Sequence, residues 1–262
     1  MEKHPLEKAF DTQYQNFLPD NKFLSSVADS QAVRAVVKKI LSVKKAVDCC
    51  DNLPDNPNWQ QVAAVTRSRL GLSPTISGLE NIPESGRLVV MSNHAYTILD
   101  AISLAAAVER VRGGVVKVVV DKEVDLMPEI SHLTVPANNM RGRLRSVVEK
   151  DGALIVFPSG RTSHLDYNTN KVIEPEWNPK ALDLAMRIKA QVLPAAVKVN
   201  PPKLFNLIRN YEPEDSDLSR IFALRVATQP PNKFPITFGE VKDFEAVEDV
   251  KRIVYDMLKD TA

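Results

Sequence analysis

Arg87-Leu88-Val89-Val90-Met91-Ser92-Asn93-His94 is the stretch that decides the fold. Leu88 to Met91 is an unbroken apolar run with neither helical nor alternating period, which reads as a strand buried on both faces. Such strands belong to parallel sheets covered by crossover helices. The run empties into Ser92-Asn93-His94, so an imidazole stands at the carboxyl end of the strand, the end at which open α/β sheets hold ligands. Asp100 follows six positions later, at the start of a helix predicted over 99–111. From there its carboxylate can fold back to His94, fix the ring tautomer and stabilise an imidazolium, and it also suits the positive end of the helix. With 33 acidic residues in 262, an acid near a histidine is common by chance, so the strand-end placement carries this reading.

Outward from that strand, short apolar runs alternate with helical segments. Strands are predicted over 115–120, 153–157, 191–199, 221–227 and 233–238, and helices over 101–111, 144–150 and 247–258. The alternation predicts an α/β fold with a mixed, largely parallel sheet flanked by helices. Upstream the texture differs. From 22 to 70 the apolar residues recur at helical spacing, as in Val33, Val36, Val37, Ile40 and Leu41. Asn52-Leu53-Pro54-Asp55-Asn56-Pro57 interrupts them, because its two prolines remove donors, and a second helix is predicted over 59–70. Residues 1–71 therefore read as a helical N-terminal section and 72–262 as the α/β domain.

Composition narrows the function classes. A net charge of +1 excludes strong steering of nucleic acid by the whole molecule, so no nucleic-acid partner is expected and any basic site is local. Residues 1–19 are polar and lack the apolar core of a signal peptide, and no window reaches the roughly 18 apolar residues of a span. A cytoplasmic protein, at most peripheral to a membrane, is expected. Phe17, Leu18, Phe23 and Leu24 form two apolar pairs without a clean helical face, and packing on the domain is their simplest reading. Cys49 and Cys50 are neighbours with no CxxC or Cys/His ligand spacing, which argues for packing and predicts no metal site.

A second chemical motif follows the strand that ends at Phe157. Pro158-Ser159-Gly160-Arg161-Thr162-Ser163 turns backbone N–H groups toward the same sheet edge, and Arg161 adds a forked cation suited to phosphate. Asn138 to Arg145 carries Arg141, Arg143 and Arg145 at a helix start, where Arg141 and Arg145 share a face; a solvated basic turn explains them equally well. Lys117 and Asp121 read as a strand-edge pair. His132 and His164 read as loop or core histidines, and Trp177-Asn178-Pro179 as a helix entry with Asn178 as cap.

Three blocks in order carry a resemblance: Ser92-Asn93-His94 with Asp100, Phe157-Pro158-Ser159-Gly160-Arg161, and Val192-Leu193-Pro194-Ala195-Ala196. Together they resemble the lysophospholipid and glycerol-3-phosphate acyltransferases of the glycerophospholipid acyltransferase superfamily, over roughly 76–241. Asn93-His94 with Ile98-Leu99-Asp100, Ser163-His164-Leu165 and Trp177-Asn178-Pro179 are most similar to the bacterial hemolysin-type acyltransferase group, which shares the five-residue gap between histidine and aspartate. The soluble plastid type of glycerol-3-phosphate acyltransferase also has a Pro-Ser-Gly turn and a helical N-terminal domain. The usual superfamily gap is four residues, and its common third-block glutamate is Ser159 here, with Arg161 the candidate for the charge-binding role.

The resemblance implies an acyltransferase that moves a fatty acyl group from acyl-CoA or acyl carrier protein to glycerol-3-phosphate, a lysophospholipid or another polar acceptor. His94 is then the general base and Asp100 its partner, with Arg161, Arg141, Arg145, Ser159 and Gly160 at the acceptor. Backbone N–H groups near Ser159 and Gly160 are the candidate oxyanion donors. No cofactor beyond the thioester co-substrate is implied, and membrane contact is at most weak. At about 0.8 kcal/mol per buried methylene, the acyl tail calls for a long apolar groove, with the space between the helical section and the sheet as one place for it. An N-acyltransferase of amino-acid lipid synthesis, a thioesterase and a non-catalytic acyl-lipid binding protein are the competing readings.

Overall fold

The computed structural model describes residues 3–16, 28–120, 127–137, 144, 147, 149–166, 169, 171–173, 175–200, 202, 206 and 225–260. Among the described residues, α1 (Pro5–Asn16), α2 (Gln31–Ile40), α3 (Val43–Asp51) and α4 (Trp59–Leu70) precede the first strand. α1 is an addition to the sequence reading, and Phe17, Leu18, Phe23 and Leu24 lie outside the described residues. α4 starts on a capping box, in which the Asn58 side chain accepts from the Gln61 N–H and the Gln61 side chain accepts from the Asn58 N–H, each at 2.9 Å. It stops at Gly71, whose φ of 79° a β-carbon would disfavour.

A seven-stranded sheet follows, in the order β1-β9-β8-β2-β5-β3-β4. Its strands are β1 (Pro74–Ser77), β2 (Leu88–Ser92), β3 (Val116–Val120), β4 (Thr134–Pro136), β5 (Ala153–Val156), β8 (Gln191–Val197) and β9 (Phe234–Phe238). All neighbours run parallel except β8 and β9, which are antiparallel and make the sheet mixed. β6 (His164–Asp166) and β7 (Lys171–Ile173) pair as a separate antiparallel hairpin.

The unbroken apolar runs are explained by the layers on either side. Leu88 and Val90 of β2 face one core with Trp59 and Val62 of α4 and the Leu99 to Val108 stretch of α5 (Ile98–Arg112). Val89 and Met91 face the other, with Ala181 and Ala185 of α6 (Lys180–Arg187) and Val250 and Val254 of α7 (Val247–Asp260). Successive side chains of a strand point to opposite faces, so both faces of β2 had to be apolar. Between α4, α5 and the sheet the buried apolar side chains form one continuous cluster.

One sequence expectation changes. Arg225, Val226 and Ala227 are helical rather than part of a strand over 221–227, whose other residues lie outside the described set. The Thr228 and Gln229 N–H groups donate three residues back, to Arg225 and Val226, and Pro230-Pro231 then offers no donor for a ladder. Lys117 reaches the carbonyl of His132, while Asp121 lies outside the described residues. Val147 and Glu149 of the predicted helix over 144–150 are helical, with 145, 146 and 148 outside that set. No helix among the described residues is long and apolar enough to cross a membrane.

Candidate active site

Where β2 ends, its neighbour β8 continues for two more residues, and a side chain supplies the missing pairing. Asn93 is buried; its Nδ2 donates to the Val197 carbonyl at 2.9 Å and its Oδ1 accepts the Val197 N–H at 2.8 Å. The amide thus satisfies a buried donor and acceptor together, and it pins the chain one residue before His94. Nothing in the sequence marks this role beyond an amide directly after a buried strand.

His94 is partly exposed, at 20%, while Asp100 in the first turn of α5 is fully buried, at 0%. Asp100 Oδ2 lies 2.9 Å from His94 Nδ1 and also accepts the Tyr96 N–H at 2.6 Å. An ionised carboxylate only accepts, so Nδ1 carries the ring proton and Nε2 of the neutral imidazole keeps its lone pair. That is the tautomer a general base needs. The Tyr96 phenol, pushed up to about 12 by burial and by the charge of Asp100, stays protonated and donates to the Gln229 carbonyl at 2.5 Å.

The extra residue between histidine and aspartate is absorbed at Thr97. Its φ of 59° and ψ of −145° lie near a region that is essentially restricted to glycine, and it is β-branched. Thr97 Oγ1 and Asp100 Oδ1 are both buried without a hydrogen-bond partner among the described residues. Strain of this kind costs about 1–3 kcal/mol, more than the ~0.5–1 kcal/mol of backbone entropy that glycine loses on folding. Thr97→Gly is therefore expected to stabilise the fold by about 1 kcal/mol, read as a rise in midpoint in urea unfolding; a lower midpoint would show that Thr97 is not the strained point.

The second motif docks onto the first. Phe157 stacks on the His94 ring with centroids 4.4 Å apart and planes inclined by 27°. The Ser163 N–H donates to the His94 carbonyl at 2.7 Å, so the two motifs are joined through backbone as well. Between these contacts, Phe157 to Gly160 forms a turn closed by the Gly160 N–H on the Phe157 carbonyl at 2.9 Å, with Gly160 at φ 63°. That bond takes Gly160 out of the expected pair of oxyanion donors and leaves the Ser159 N–H. Ser159 Oγ donates to the Arg161 carbonyl at 2.9 Å, and Arg161 itself is exposed beside the turn. The Asn178 N–H holds the Pro158 carbonyl at 2.9 Å, and Asn178 Oδ1 accepts the Lys180 N–H at 3.0 Å; the N-cap of α6 is Pro179, one residue later than the expected Asn178.

The third block lies alongside, with Ala195 of β8 opposite Ser92 in the parallel register. Of the expected site residues, the fold brings His94, Asp100, Ser159, Gly160 and Arg161 to one edge of the sheet. Arg141 and Arg145 lie outside the described residues. His132 Nε2 lies 2.9 Å from the Pro57 carbonyl, a structural tie to the turn before α4.

Residues 73–198, which hold His94, Asp100 and the turn after β5, match the acyltransferase family model. The chain is accordingly a transferase of the acyltransferase type, as the three ordered blocks imply. Among solved structures it resembles the 1-acyl-sn-glycerophosphate (LPA) acyltransferase PlsC from Thermotoga maritima, with a TM-score of 0.51 and 16% identity. The likeness covers 98% of this chain and 90% of that one, and it concerns the fold. No curated protein sequence matches the chain significantly. The acyltransferase domain and the fold together support the resemblance to the glycerophospholipid acyltransferase superfamily.

Proposed function

We propose that the acyltransferase domain moves a fatty acyl group from a thioester of coenzyme A or acyl carrier protein to a hydroxyl of a phosphate-bearing acceptor, with His94 as general base. The observation that carries this reading is the Nδ1 contact of His94 with buried Asp100 at 2.9 Å, which leaves Nε2 as an acceptor at the sheet edge. The acceptor hydroxyl gives its proton to Nε2 as its oxygen attacks the thioester carbonyl. The resulting oxyanion is met by backbone donors of the turn after β5, the Ser159 N–H foremost. Collapse expels the thiolate, which takes the proton back from the imidazolium that Asp100 stabilises. An ester and a free thiol result, with no acyl-enzyme.

The PlsC neighbour is named for 1-acyl-sn-glycerophosphate, which favours a lysophosphatidate acceptor here, with glycerol-3-phosphate next. The gap of five residues between His94 and Asp100, shared with the hemolysin-type group, favours an amine of an amino-acid lipid as the second acceptor class. We place the protein in the cytoplasm, in at most weak contact with a membrane. The deciding experiment is thiol release from acyl-CoA and acyl carrier protein donors against lysophosphatidate, glycerol-3-phosphate and amino-acid lysolipids. Acceptor-dependent release with formation of the acylated product is expected. Release that ignores the acceptor would make the protein a thioesterase, and binding without release would make it a carrier.

Arg161→Ala tests the acceptor's charge. A charge-assisted pair is worth about 1.5–3 kcal/mol, so the acceptor KM should rise by roughly 10- to 150-fold while the donor KM changes little. Equal rises in both would move Arg161 to the phosphates of coenzyme A.

A further inference from the structure

Away from the acyltransferase site, three side chains of different donor chemistry meet where the start of the chain touches the rest of the molecule. His4 precedes α1, Cys50 lies near the end of α3, and Glu129 lies in the 3-10 helix Pro128–Leu133. An imidazole nitrogen, the thiol sulfur and a carboxylate oxygen from these three lie within 4.8 Å of one another. The surroundings are apolar: Leu6, Ala46, Val47 and Met127 pack around Cys50. The His4 and Glu129 side chains are only 10% and 27% exposed, and Cys50 is buried.

Glu129 is incompletely satisfied. His4 Nε2 lies 3.1 Å from its Oε1, but its Oε2 is buried with no hydrogen-bond partner among the described residues. An orphaned acceptor in such a place costs about 1–3 kcal/mol, and an unseen ion or water is the usual explanation. Burial, reinforced by the charge of Glu129, pushes the Cys50 thiol up to about 12, so it carries its proton unless a cation replaces it.

We propose that His4, Cys50 and Glu129 bind one divalent cation of borderline softness, zinc foremost, which clips the first helix to the α/β domain. One nitrogen, one sulfur and one oxygen suit zinc, and the fourth tetrahedral position is left to water. Metal–ligand bonds of about 2.0–2.3 Å set ligand atoms roughly 3.3–3.7 Å apart; the 3.1 Å between His4 and Glu129 is just short of that range, and the Cys50 sulfur lies within 4.8 Å of both, so small side-chain adjustments bring the three around one ion. Without the cation, His4 Nδ1 accepts the Leu6 N–H at 3.2 Å, which puts the ring proton on Nε2. On binding, that proton passes to Nδ1 and the Leu6 contact is given up. The thiol proton leaves to solvent, and thiolate and carboxylate together neutralise the divalent charge, with one proton released per ion. Positions 4, 50 and 129 have no ligand spacing that a sequence reading would find.

The test is a titration of the full chain with Co²⁺, whose bond to a thiolate gives a charge-transfer absorption that nitrogen and oxygen ligands do not. A band saturating at one equivalent is expected, displaced by zinc, with zinc also raising Tm. It should vanish in Cys50→Ser, persist in Cys49→Ser, and need at least about tenfold more metal in Glu129→Gln and His4→Ala. Circular dichroism confirms that each variant is folded, and the wild-type titration stands whether or not a variant is. Absence of the band in the wild-type protein, its survival in Cys50→Ser, or indifference to both Glu129→Gln and His4→Ala would overturn the proposal. None of these readouts involves acyl transfer, so this site and the acyltransferase site fail or stand separately.

Discussion

Replacing His94 by alanine is expected to lower turnover by about 10²- to 10⁴-fold, the range for losing a positioned general base, with donor affinity and fold unchanged. The geometry explains why the loss should fall on kcat. The ring is held by Asp100 on one side and by Phe157 on its face, but it supports neither core, and its removal leaves Asp100 still accepting the Tyr96 N–H. Steady-state thiol release, beside circular dichroism of the same preparation, decides the matter. Near-normal turnover in a folded variant would remove His94 from the chemistry and with it the mechanism proposed above.

The second large effect is expected at Asp100→Asn, with turnover falling by at least about 10² and less than at His94. The substituted amide can keep an oxygen toward the Tyr96 N–H, so the first turn of α5 should form as before. What it lacks is charge, and an imidazolium formed during proton transfer then faces a neutral group in a fully buried place. If the amide nitrogen turns toward His94 instead, Nδ1 must accept and the proton moves to Nε2, the wrong atom for a base. Both outcomes lower kcat more than acceptor KM. A loss below tenfold would mean that His94 draws its orientation from Phe157 and the Ser163 contact instead.

The parts of the fold that were legible are those in which the interior leaves no choice. β2, β5 and β8 lie between two apolar layers, so their residues form runs with no polar interruption, and α4 is bracketed by Asn58 and Gly71 at its two ends. β1 and β4 are too short to show a period, with β1 alternating over only four residues and β4 carrying a proline. β6 and β7 pair only with each other, three residues each, and no continuous apolar run announces them. Residues 225–227 misled because Ile221 to Ala227 is apolar apart from Arg225, whereas the backbone was decided by the local bonds of Thr228 and Gln229.

The site was legible in its composition more than in its geometry. His94 and Asp100 were found because a strand end and a helix start both carry positional meaning. Their contact depends on Thr97 adopting a backbone conformation that threonine least favours, which no propensity would assign. The Gly160 N–H was misassigned for a related reason: a Pro-Ser-Gly turn has to close on something, and its own closing bond uses that donor. Asn93 escaped notice because a side chain standing in for backbone leaves no pattern along the chain.

That substitution of side chain for backbone also bears on how the molecule loses activity. The partner of Asn93 is Val197, in the strand beside β2 at the middle of the sheet, where opening requires the sheet itself to come apart. His94 is one peptide unit away. The proposed base is therefore anchored beside the central strand of the sheet, while Arg161 stands exposed on the turn after β5. Warming should weaken the grip of Arg161 on the acceptor before it disorders the proton acceptor itself.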